Sequence, residues 1–221
     1  MTESWRHDGP SPVLLAGLSI ALLFGGVGVG VAIGGIMPLP YGPAAAVQRY
    51  VQSEPLALHV IAVAVFGSAV PLAVYAAAIG SRLRRIGVAG AGPTIAVTGG
   101  TLAAGGLALT GLLGWVMSRP EIVGDASLVR ALYLLTFLVG GPGHVVALGI
   151  LIAGTAAGGM LPRSTARAGV AIAALCESTT LVLAWTALGP MLPVARVVAL
   201  AWLVVAAARL PTRRTEPIAA S

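Results

Sequence analysis

The sequence predicts an all-α polytopic membrane protein, a bundle of six transmembrane helices with both termini cytoplasmic, and three observations predict it. The chain is 57% hydrophobic and only 9% charged, against roughly 25% charged residues in an ordinary soluble domain. Its mean hydropathy is +0.96. Its apolar content falls into six separate runs, each near the roughly 20 residues that a helix needs to cross a hydrocarbon core. The runs are continuous, which excludes the short alternating segments of a β-barrel, and a spanning segment must satisfy its own backbone, so each is helical.

The first span is placed at residues 12–37. It is longer than the apolar core of a secretory leader, and its flank mixes Glu3 and Asp8 with Arg6, so a retained helix is expected. Its GVGVGVAIGG text lies inside an apolar helix, not between a strand and a helix, and is no dinucleotide fingerprint. Gly26, Gly30 and Gly34 instead share one helical face, a stripe on which a neighbouring backbone can approach closely. Residues 38–54 form the longest connection, on the outer side, with room for an interfacial helix in its AAAVQRYV core and with Tyr41 and Tyr50 at headgroup level.

The second span covers residues 55–80, with Pro71 marking a bend, Tyr75 a polar handle, and the basic turn SRLRR at its end. The third, residues 92–117, repeats the small-residue device at Ala96, Gly100 and Ala104. The first and third helices are therefore expected at the centre of the bundle or in an oligomer contact. The fourth, residues 127–158, contains LVGGPGHVV; Pro142 cannot donate to the Leu138 carbonyl, so a kink or break is expected there. The fifth and sixth are placed at residues 167–188 and 193–210. The whole chain reads as one domain of three helical hairpins.

Arginine sets the orientation. Arg6, Arg82, Arg84, Arg85, Arg163, Arg167, Arg209, Arg213 and Arg214 fall on one side, and Arg49, Arg119, Arg130 and Arg196 on the other. The richer side should be cytoplasmic. The net charge of +6 then reflects topology and contact with anionic lipid, and no basic stripe extends far enough to bind nucleic acid. The single Cys176 excludes an internal disulfide and any paired-cysteine metal motif. Walker, HExxH and GxSxG motifs are absent, and so no catalytic residue is assigned.

What remains is a small set of polar residues at membrane depth. Glu177 lies in ALCESTT, near the middle of the fifth span, where an ionised carboxylate is costly. It is either a proton or cation site or a neutral carboxyl tying helices together. The hydroxyls of Ser178, Thr179 and Thr180 can assist it or bond to carbonyls of their own helix. His144 sits beside the expected break at a similar depth, so His144, Glu177 and Ser178 form the candidate ligand or proton site, an arrangement similar to the midplane sites of transporters. Alternatively, His144 is a neutral ring satisfied by one hydroxyl, and the proline kink is purely architectural. His59, near the outer end of the second span, is a secondary candidate. Haem held between His59 and His144 requires strong tilt, because about ten residues of rise separate them in depth.

The Gly-rich first span, the Pro- and Tyr-bearing loop before SEPLALH, the SRLRR turn and the LPRSTAR link together resemble the uncharacterised six-span bacterial integral membrane proteins grouped as domains of unknown function. The resemblance covers most of the chain. It implies a six-helix protein of the bacterial inner membrane, and it supplies neither a site nor an activity. Three roles follow as expectations: a small transporter, channel or sensor with a buried polar site; a structural or assembly partner of itself or of another membrane subunit; and, third, a haem-bearing electron carrier.

Overall fold

The computed structural model describes residues 10–211. Arg6, Arg213 and Arg214, which enter the charge asymmetry, lie outside the described residues. Within them the chain forms α1 (Pro12–Gly34), α2 (Ala44–Ser53), α3 (Pro55–Arg85), α4 (Gly92–Met117), α5 (Pro120–Val123) and α6 (Ala126–Leu138). A π-helical turn (Val139–Gly143) then leads into α7 (His144–Ala156), followed by α8 (Arg163–Ser178), two short 3-10 segments (Thr179–Leu183 and Thr186–Leu188) and α9 (Met191–Arg209). Among the described residues, six helical segments are long and apolar enough to cross a membrane, with α6 and α7 counted as one (Ala126–Ala156) and α8 extended through the first 3-10 segment (Arg163–Leu183).

α4 is the central element, and α3, α6 and α7 pack around it. The expectation of a central first helix is corrected. α1 lies at the edge, its Gly26, Gly30 and Gly34 facing Ala64, Ile61 and Ala57 of α3, while Leu14, Leu18, Val29 and Ile33 point outward. A helix with one glycine face can approach one neighbour closely; its remaining large apolar side chains suit lipid. Gly100 performs the same service between α4 and Ala76 of α3. Ser19 of α1 donates to the Ser68 carbonyl at 2.9 Å, in the turn that precedes Pro71.

A close crossing joins α4 to α7. Gly99 sits against the backbone of Ile150 and Leu151, and Gly154 against that of Gly92 and Ala96. Neither position has room for a side chain. Two helices thus meet backbone to backbone, gaining dispersion contacts that bulkier residues would hold apart.

One end of the bundle is closed by α2, whose Val47, Tyr50 and Val51 pack on Leu58, Met117, Val129 and Tyr133. Tyr133 donates to the Pro38 carbonyl at 2.6 Å and Gln48 to that of Val123 at 2.7 Å. Tyr50 is buried under this lid, not displayed on its rim. Asp125 caps α6 by accepting from the Leu128 and Ser127 amides at 3.0 and 2.9 Å. The Leu128 bond is the main cause that lowers its carboxyl below the usual 3.8. The cap is therefore complete above that ordinary value and is lost as pH falls through the lowered one.

At the opposite end the basic SRLRR segment is helical, not a turn, because α3 continues through it to Arg85. Arg82 explains the extension. Its guanidinium donates to the carbonyls of Leu210, Pro211 and Ala207 at 2.6, 3.1 and 3.2 Å, satisfying acceptors that the end of α9 leaves without partners. Arg84 and Arg85 are exposed. Nearby, Trp202 donates to the Thr165 carbonyl at 3.0 Å and Arg209 to the Thr165 hydroxyl at 3.1 Å, which ties α9 to α8.

Candidate buried polar site at the interrupted fourth span

The fourth span is interrupted where the sequence predicts it. Gly141 leaves the helical region (φ −85°, ψ −105°) and the turn Val139–Gly143 is wound as a π-helix around Pro142. Proline removes one amide and its ring crowds the carbonyl four residues earlier; the flanking glycines let the backbone absorb the change. Gly140 also packs against Thr110, where a methyl group would stand 2.7 Å from the hydroxyl oxygen.

His144 begins α7 immediately after the break and is fully buried. Its Nδ1 lies 2.9 Å from the Ala103 carbonyl, in the middle of α4. A carbonyl oxygen only accepts, so Nδ1 carries the proton and Nε2 of the neutral ring is a bare acceptor. Nε2 is sealed from the surface and has no hydrogen-bond partner among the described residues.

The group that completes this site is Arg196, which sequence reasoning assigned to the outer side. It belongs to no loop: it lies in α9, five residues beyond Met191, and its Nη2 donates to the Gly140 carbonyl. The residue as a whole is half-buried, yet its Nε is sealed and has no partner among the described residues. Arg196 is thereby fixed to the interrupted turn that His144 directly follows. The signal was present as a lone arginine inside the apolar run VARVVALAWLVV. Proximity to the start of the span made it look like a flanking charge, and only the packing of α9 against the interrupted turn shows otherwise.

Glu177 and Ser178 are not brought to this turn. Glu177 is the penultimate residue of α8, since the fifth span begins at Arg163, four residues earlier than expected, and tightens into a 3-10 segment after Ser178. Its side chain is exposed on the surface of the bundle, lying over Gly149 so closely that a methyl group there would stand 2.8 Å from Oε1. Gly149 is five residues past His144, about 8 Å further along the axis. Ser178 and Thr179 spend their hydroxyls on the carbonyls of Leu175 and Cys176, at 2.7 and 2.6 Å.

His59 is separate again. Its Nδ1 lies 3.4 Å from the Ser118 hydroxyl at the end of α4. His59 thus sits beside residue 118 of the helix on which His144 sits beside residue 103, and 15 residues of α-helix rise about 22 Å. Two rings that far apart along one axis cannot flank a single haem. The paired-histidine haem arrangement is corrected accordingly, and among the described residues no group of three His, Cys, Asp or Glu could hold a metal ion.

No family model, curated protein or solved structure matches this chain. The chemistry of the interrupted turn therefore has to carry the functional reading by itself.

Proposed function

We propose that the chain is a solute-handling protein of the bacterial inner membrane, a small transporter, channel or sensor, whose ligand site is the interrupted turn of the fourth span. One observation carries this reading: His144 Nε2 and Arg196 Nε are both sealed within the bundle and both lack partners among the described residues, beside a discontinuous helix. Buried polar atoms are nearly always satisfied, and irregular backbone at membrane depth is tolerated where protein covers it or where it lines a water-filled cavity. Ionisable side chains in such a place are functional by default.

Amide hydrogen exchange tests it. A working site must admit water, so the amides of Gly141, Gly143, His144 and Val145 are expected to exchange at least tenfold faster than those of Ile150–Ala156, the order of a ~1.4 kcal/mol difference in opening. Protection as strong as in the rest of α7 would mean a dry kink, and the reading would fall.

A second reading, a structural or assembly subunit, is favoured by Glu177. A carboxyl on the outward surface of an apolar span needs a hydrogen-bond partner that the described residues do not provide, and a second copy or another membrane subunit would supply one. A dry turn in the exchange experiment would favour this role.

The proposal includes orientation, with both chain ends cytoplasmic. With Arg130 and Arg196 both taken into their spans, Arg49 and Arg119 are outnumbered by Arg82, Arg84, Arg85, Arg163, Arg167 and Arg209 on the opposite side. In a Cys176→Ala background, a cysteine at Ser53 should react with a membrane-impermeant maleimide in intact cells and one at Ser81 should not. Both positions are exposed. The opposite pattern would invert the topology.

A further inference from the structure

Resting on the solute-handling reading, we infer that the interrupted turn binds a small monovalent anion, a halide or a short carboxylate, together with a proton taken up by His144. The first step is charge balance. Arg196 has no acidic partner among the described residues, whose single ion pair joins Arg119 to Glu121 at the end of α4. Its one hydrogen bond goes to a neutral carbonyl, Gly140. A guanidinium held in an apolar bundle with an unused N–H is a site for negative charge, because an anion supplies both the missing acceptor and the missing charge.

The second step is the tautomer of His144. Its Nδ1–H is committed to the Ala103 carbonyl, so neutral Nε2 carries a lone pair that no described residue uses. A lone pair repels an anion. Protonation converts Nε2 into a second N–H donor, and the anion that Arg196 attracts then stabilises the imidazolium through its own charge. Anion and proton enter together, one negative and one positive, and the net charge of the protein is unchanged.

The surroundings fit this division of labour. α4 contributes the Ala103 carbonyl and Gly106 to the environment of His144, and α9 contributes Arg196. The segment Thr179–Leu183 packs on the turn, but its buried Thr179 hydroxyl is already used by Cys176. Glu177 lies over Gly149 on the outer surface. The turn's own Gly140, Gly141 and Gly143 carry no side chains. Among the described residues, Arg196 Nε and His144 Nε2 are thus the sealed side-chain nitrogens left at this turn to hold a ligand.

The experiment uses the full chain in detergent, weakly buffered at mildly acidic pH with a proton-sensitive dye. Sodium chloride or sodium formate is added, and sodium gluconate serves as the ionic-strength control. Uptake of about one proton per chain at saturation is expected, with a rise in the thermal midpoint that gluconate does not produce. His144→Gln should abolish proton uptake and weaken anion stabilisation roughly tenfold in apparent affinity; Arg196→Gln should abolish both. Should Arg196→Gln fail to fold, the wild type and His144→Gln still decide the matter. Stabilisation without proton uptake, uptake that survives in His144→Gln, or no response of the wild type to either anion would each overturn the inference. Failure here beside fast amide exchange at the turn removes the ligand class and leaves the site; slow exchange removes both.

Discussion

Gly99→Val and Gly154→Val are expected to prevent folding altogether, whereas Gly105→Ala should leave stability unchanged or raise it. A Cβ at Gly99 would stand 2.8 Å from both the carbonyl carbon and the Cβ of Ile150, and one at Gly154 would stand 2.7 Å from the Gly92 carbonyl oxygen. These neighbours are mostly backbone atoms of packed helices, so they cannot swing aside as a flexible side chain would. Overpacking a close contact costs about 1–3 kcal/mol and occasionally more, and a valine at a backbone-to-backbone crossing belongs at the upper end. Gly105 lies on α4 with Gly99, and a Cβ there would have nothing within 4 Å. There the change to alanine should recover up to about 1 kcal/mol of helix propensity. Thermal melts in detergent check the set. Equal tolerance at all three positions would contradict the helix pairing.

Arg196→Met is expected to raise the melting temperature of the protein while destroying its response to anions. Two effects compete. Removing the guanidinium strands the Gly140 carbonyl, at a cost of about 1–3 kcal/mol for an unpaired buried acceptor. Against this stands the desolvation of a charge with a sealed, unbonded Nε and no counter-ion, which amounts to several kcal/mol in a protein interior. The second effect is larger, so the neutral, volume-matched methionine should stabilise. Functional sites commonly sacrifice stability in this way. A marked loss of stability would identify Arg196 as a staple for the broken helix, and would count against the ligand site.

Much of this architecture is legible in the chain because membrane crossing is a local constraint. A helix that must satisfy its own backbone in an apolar medium announces itself by length and hydropathy alone, and the six apolar runs correspond to the six helices long enough to span. The break in the fourth span is equally local, since Pro142 lacks its amide wherever it is placed. The faces of Gly26, Gly30, Gly34 and Gly100 are visible as spacing.

Tertiary structure alone decided which polar residues meet. Position along a span gives depth but not direction, and a rotation of one residue turns a helical side chain through about 100°. Glu177 and His144 share a similar depth in the sequence, yet one lies on the surface over Gly149 while the other points into α4 at Ala103. Arg196, read as a flanking charge, belongs to the interrupted turn because α9 packs where its side chain can reach Gly140. Arg82 likewise reads as a topological anchor, and its role in capping α9 depends on two helix ends meeting across more than a hundred residues. Composition and periodicity determine what each helix is; the pairing of faces, set by glycine contacts between distant segments, determines what the polar groups can do together.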